Sequence, residues 1–221
     1  MAKITGENKK DIEFDIKELN LRDRGKFNNL YHKAELSEPL DWTSFAECCL
    51  IGTKFTEDEL NEFTDIDIIL IAKECYFIVN KKKIEEIKLR INVQISLHGI
   101  QKVNTFPNEF PYVALSPYTG NDVTFDSIDD VYRVIFECYN ECKQKGFDRV
   151  GEALYEQALM FVNMDKLIDE NSQMRIREYQ FCKDFNCPPY PSLKETPAEV
   201  VDEFTIIQEE MIQFSTKGKN G

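Results

Sequence analysis

The chain has 221 residues, 42% of them apolar and 30% charged, enough for one large domain or two small ones around an ordinary globular core. Forty Asp and Glu against 27 Lys and Arg give a formal charge of −13. Such a surface repels phosphate backbones and anionic bilayers, which excludes nucleic-acid or membrane-surface binding through bulk charge.

No apolar run approaches the roughly 18–20 residues that a spanning helix needs. Residues 1–10 hold no apolar signal core, and seven cysteines without one read as reduced thiols. The expected location is therefore cytoplasmic.

In chain order, residues 1–10 are polar and expected to fray. Ile12, Phe14 and Ile16 alternate with Asp11, Glu13, Asp15 and Lys17, a half-buried strand. Weaker helical patterns cover 23–34 and 42–51. Thr56 and Glu59 fit a capping box, and Thr64 opens a second helix over about 65–80 whose apolar residues run nearly all round it. Residues 90–98 alternate most strictly, with Ile91, Val93, Ile95 and Leu97 against Asn92, Gln94, Ser96 and His98, and are predicted to be a strand. Tyr112–Leu115 and Asp122–Phe125 flank strong turn chemistry and form two more strands.

The second half is predicted helical. Ser127 caps a helix over about 127–144 that stops at Gly146. A long helical pattern over 148–183 carries breaks near Asn163 and near Glu170-Asn171-Ser172. A proline segment, Cys187-Pro188-Pro189-Tyr190-Pro191, cannot continue it. Thr196-Pro197-Ala198-Glu199 reads as a capping box opening a helix over about 197–214. The expected fold is α+β, predominantly α-helical, with a small antiparallel sheet from the N-terminal half. The expected organisation is a disordered 1–10, a mixed region 11–125, a helical region 126–214 and a disordered tail 215–221.

Sequence signatures for catalysis are missing. The nine glycines form no phosphate-cradling loop, and neither a Gly-x-Ser-x-Gly nor a His-Glu-x-x-His occurs. The two histidines, His32 and His98, read as surface residues. Cys138, Cys142, Cys182 and Cys187 carry enough sulfur for a tetrahedral zinc site, but they lack a Cys-x-x-Cys knuckle, and packing is the simpler reading. No catalytic, cofactor or metal residue is assigned, and no cofactor is expected. Acidic runs at 57–67 and 199–210 read as solvated faces or as docking faces for a basic partner. The expected partner surface combines the aromatic-proline loop (Phe106, Phe110, Tyr112, Tyr118) with Phe204, Ile207 and Met211 of the last helix.

Two segments carry a family resemblance. Residues 12–24 (Ile-Glu-Phe-Asp-Ile-Lys-Glu-Leu-Asn-Leu-Arg-Asp-Arg) read as a strand leading into an Arg-rich helix start. Phe55-Thr56-Glu57-Asp58-Glu59-Leu60-Asn61 precedes a buried helix. Together they resemble the openings of tail assembly chaperones of tailed bacteriophages, over about a third of the chain. The resemblance implies a non-enzymatic protein that binds a phage structural protein, a helical tape-measure protein above all, by helix-in-groove contacts in the host cytoplasm. Self-association is compatible with it. The strands predicted for 90–125 depart from a purely helical chaperone and leave a virion component as the alternative: a head–tail connector, ring or baseplate subunit. A cysteine-ligated metal-binding regulator is the second alternative.

Overall fold

A computed structural model gives the fold; it describes residues 1–217 apart from 9, 36, 38, 100–105, 108 and 193, and only the backbone of Leu21, Glu35 and Lys217. The chain divides into two compact units, Met1–Lys81 and Lys82–Gly221. The architecture is mostly helical α+β, as expected, but the strands form two separate two-stranded antiparallel sheets rather than one. None of the helices among the described residues is long and apolar enough to cross a membrane.

In the first unit, β1 (Ala2–Thr5) pairs with β2 (Asp11–Phe14), with Ala2 opposite Phe14 and Thr5 opposite Asp11. The N-terminal residues expected to fray thus supply a strand. Past β2 the chain stays extended, and Ile16 bridges Thr53. Helices α1 (Leu21–Glu35), α2 (Trp42–Gly52), the single turn α3 (Glu57–Leu60) and α4 (Asp65–Val79) complete the unit. Its core is Phe27, Tyr31, Phe45, Cys48, Cys49, Ile71, Cys75 and Tyr76, all buried. Tyr31 and Tyr76 stack at 4.1 Å between ring centroids. The capping box at Thr56 forms as expected, and Thr64, expected to open the second helix, does so through a capping box with Asp67. Asp67 does more than cap: its Oδ1 also accepts the Glu7 backbone N–H at 2.8 Å, which ties the β1–β2 turn to the start of α4.

Asp41 caps α2, accepting both the Ser44 hydroxyl (2.7 Å) and the Ser44 N–H (3.0 Å). Those bonds, with help from Lys33, hold its carboxyl at about 2. Because the folded value is depressed, the cap contributes fully above the unfolded carboxylate range near 3.9 and is lost as pH falls toward 2. The Ser44 amide is expected to lose hydrogen-exchange protection between pH 4 and pH 2, and Asp41→Asn, which caps without titrating, is expected to flatten that dependence. Equal protection of the wild-type amide at both ends of that range would contradict it.

In the second unit, α5 (Lys81–His98) is the central helix. Every residue from Leu89 to Ile95 is buried. The strand predicted over 90–98 is therefore helix. Its alternation arises because a helix stretch covered on all sides needs no polar face, and the buried Arg90, Asn92 and Gln94 are each given hydrogen-bond partners. β3 (Tyr112–Leu115) and β4 (Asp122–Phe125) form the hairpin predicted for them, with Tyr112 opposite Phe125. Phe110, Tyr112, Phe125 and Phe161 stack in series at 5.2–5.5 Å.

Helix α6 (Ile128–Gln144) is capped by Asp130, which accepts both the Ser127 N–H and its hydroxyl, and the chain turns away at Gly146 with φ of 70°. The long pattern over 148–183 breaks into α7 (Val150–Ala158), a 3₁₀ turn Met164–Leu167 and α8 (Glu170–Asp184), close to both predicted breaks. The last helix, α9 (Ala198–Lys217), extends into the tail expected to be disordered; residues 218–221 lie outside the described part. The Thr196 capping box does not form. The Thr196 hydroxyl donates instead to the Ser192 carbonyl, and the Pro197 carbonyl accepts the first helical N–H groups.

Candidate functional site

Two places in the second unit concentrate chemistry-bearing side chains. The first is a buried polar network. Arg90, on α5, donates to Glu210 of α9 at 2.5 Å and to Glu86 at 3.1 Å. Gln94 donates to the other Glu210 oxygen at 2.6 Å. Glu86 also accepts from Lys83 and from the Tyr139 hydroxyl of α6. Glu210 is fully buried, and Gly151 of α7 lies against its carboxylate so closely that a Cβ there would overlap both oxygens. Lys83 pairs with Glu86 and Tyr139, and although burial pushes the Glu86 carboxyl up, the charges and hydrogen bonds of Lys83 and Arg90 together hold it below its usual range. The network ties α5 to α6 through Glu86 and Tyr139 and to α9 through Arg90 and Glu210.

The same holds for Asn92. Its amide donates to the Lys88 and Leu167 carbonyls, and its oxygen accepts from the Asp169 N–H and the Gln173 amide. One buried side chain therefore fixes the turn between the 3₁₀ segment and α8.

The second place is the outer face of α8. Ile176 of this helix joins Leu89, Val93 and Ile207 in a buried cluster. Spacings of four, three and four residues put Met174, Glu178, Phe181 and Phe185 on one outward stripe. Met174 is 65% exposed, Phe181 57% and Phe185 69%, and the two phenyl rings touch at 4.6 Å between centroids.

Met174 and Glu178 also line a cleft of about 300 Å³ whose other acidic walls are Glu85, Asp169, Glu199 and Glu203, with Arg175 as its guanidinium. Arg175 bridges Glu178 and Glu203, each at 2.5 Å. Burial, with Glu199 and Glu178 nearby, still holds the Glu203 carboxyl above its usual range against the pull of Arg175. The cleft thus carries excess negative potential at the end of an apolar stripe.

The residues expected to bind a partner lie elsewhere and are mostly committed to the interior. Tyr112 and Ile207 are buried. Phe204 and Met211 pack on the Leu89–Val93–Ile176–Ile207 cluster. Phe110 stacks on Tyr112 beneath the Lys166 ammonium, 4.2 Å from its ring. Phe106 and Tyr118 are half-buried, and the Phe106 carbonyl accepts from Asn163. Residues 104, 105 and 108 of the same loop lie outside the described part. The outward stripe of α8 was missed because apolar residues at helical spacing read as core, and only the packing of neighbouring elements tells which stripe is left uncovered.

The histidines are not at the surface either. His32 lies half-buried with its Nε2 2.9 Å from the Tyr76 hydroxyl, and burial lowers its pKa. His98 stacks on Tyr155 at 4.9 Å. Among the described residues no group of three or more His, Cys, Asp or Glu is placed to hold a metal ion. Cys138 and Cys142 are buried, whereas Cys182 and Cys187 are half-exposed. No protein-family model matches the chain, and no match was found among curated proteins or solved structures.

Proposed function

We propose that this chain is a non-enzymatic assembly protein that holds another polypeptide on the outer face of α8. The carrying observation is the uncovered stripe of Met174, Phe181 and Phe185 running into the acidic cleft. An amphipathic helix with apolar residues at matching spacing and a basic end complements both halves of that surface. Exposed aromatic and methionine side chains of this size on a surface helix mark interaction sites. With the resemblance at residues 12–24 and 55–61, this reading makes the chain a tail assembly chaperone and its partner the helical tape-measure protein of the same phage.

Co-expression with a helical tape-measure protein from the genome that carries this gene tests the proposal. The tape-measure protein is expected to stay soluble with this chain and to aggregate without it, and native mass spectrometry is expected to detect the complex. The Met174→Ser, Phe181→Ser, Phe185→Ser triple variant is expected to lose the complex, with stability changed by only about 0.5 kcal/mol per site because the side chains are exposed. A tape-measure protein that aggregates equally in both cases, or a triple variant that binds normally, would overturn the proposal.

A further inference from the structure

The C-terminus of α8 carries a second kind of site. The helix ends in a Schellman motif: the Cys187 N–H bonds back to the Cys182 carbonyl at 3.0 Å, the Asn186 N–H bonds to Lys183, and Asn186 takes the left-handed conformation with φ of 50°. In this motif the first and last residues touch through their side chains, and that contact is normally apolar. Here both are cysteines, and beside burial it is the neighbouring Cys187 that raises the pKa of the Cys182 thiol. The 6→1 backbone bond holds the two chain segments together, as a bridge needs, since disulfides span Cα separations of about 4.4–6.8 Å.

The other five thiols have a different setting. Cys48, Cys49, Cys75, Cys138 and Cys142 are buried. Burial pushes the thiols of Cys48 and Cys138 up to about 12 and raises those of Cys49, Cys75 and Cys142 as well. Such groups carry almost no thiolate at neutral pH and do not meet solvent. Cys182 and Cys187 are only half-buried, at a helix end; burial and Cys187 raise the Cys182 thiol as well, yet the pair still meets solvent. Thiol–disulfide exchange needs both access and a resolving partner within reach, and this pair has both.

We propose that Cys182 and Cys187 form a dithiol modification site that a small disulfide oxidant such as oxidised glutathione converts to an intramolecular disulfide. The thiolate of one cysteine attacks a glutathione sulfur, forms a mixed disulfide and releases one glutathione thiolate. The neighbouring cysteine gives its proton to water and attacks the protein-side sulfur, which breaks the mixed disulfide and releases the second glutathione. The protein loses two protons and two electrons, and one oxidised glutathione becomes two reduced ones. The resulting bridge closes over the residues that set the position of Phe185.

Trypsin makes the outcome readable because it cuts between the two cysteines, after Lys183. The full-length protein is equilibrated in glutathione redox buffers, alkylated and digested. Oxidation is expected to join the peptide of residues 178–183 to that of residues 184–194 through one disulfide, with the other five cysteines alkylated. Cys182→Ser and Cys187→Ser are each expected to abolish the linked species and to leave a stable glutathione adduct on the remaining cysteine. Two separately alkylated or separately glutathionylated peptides from the wild-type protein at full oxidation would overturn the proposal, as would linkage of either cysteine to one of the other five. The readout is covalent and independent of partner binding, so its failure and that of the chaperone reading are distinguishable.

Discussion

Replacing Glu210 by leucine is expected to destabilise the second unit by about 3–5 kcal/mol, because it strands a buried guanidinium. Arg90 is 10% exposed at its side chain and Glu210 is not exposed at all, so no water replaces the lost carboxylate. Gln94 loses its acceptor in the same change. Glu86 keeps part of the Arg90 charge paired, which favours the lower end of that range. The double variant Arg90→Met, Glu210→Leu removes both charges and is expected to recover most of the loss, since two apolar residues of similar size incur no desolvation penalty. Trp42, the only tryptophan, lies in the first unit, so its fluorescence follows that unit while far-ultraviolet circular dichroism follows both. Urea melts are expected to shift in dichroism with little change in fluorescence. A single variant as stable as the wild type would show that the network contributes nothing.

Asn92→Leu is expected to have the second largest effect, about 3 kcal/mol, although it keeps the number and branching of the side-chain heavy atoms. The cost comes from what is left behind. The Leu167 carbonyl loses a donor, and the Asp169 N–H and the Gln173 amide lose their acceptor. Each buried group left unpaired costs about 1–3 kcal/mol, partly recovered where water reaches it. The damage is expected to concentrate at the start of α8, where limited proteolysis between residues 163 and 172 should accelerate well before global unfolding. Uniform destabilisation without local cleavage would argue that Asn92 acts through packing alone.

The fate of residues 90–98 shows what patterning can and cannot reveal. Alternation signals a strand only when one face meets water. Around α5 both kinds of residue are buried, and the polar ones are held by Glu210, Leu167 and Gln173 from distant parts of the chain. Those partners sit 75–120 residues away and leave no local trace. The local signals fared differently. The Thr56 box, the helix starts at Thr64 and Ser127, the Gly146 stop and the strands on either side of the 116–121 turn were all legible because each is signalled within a few residues.

β1 escaped because four residues with a single strong strand former, Ile4, carry too little pattern alone; pairing with β2 defines it. The Thr196 box was readable but did not form, since the Ser192 carbonyl takes the hydroxyl first. The candidate surface was the least legible. Phe204 and Met211 share helical spacing with Ile207, as Phe181 and Phe185 share it with Met174, and only tertiary packing sends the first set inward.

The missing side chain at Gly151 has a consequence for how this unit tolerates change. The length of the acid at 210 and the bareness of position 151 amount to one variable, because the carboxylate occupies the volume any substituent would take. Drift at 151 alone is closed off, whereas a methyl there becomes admissible once position 210 shortens to aspartate and retreats. Among divergent copies of this gene a side chain at 151 should therefore appear only where position 210 no longer carries glutamate.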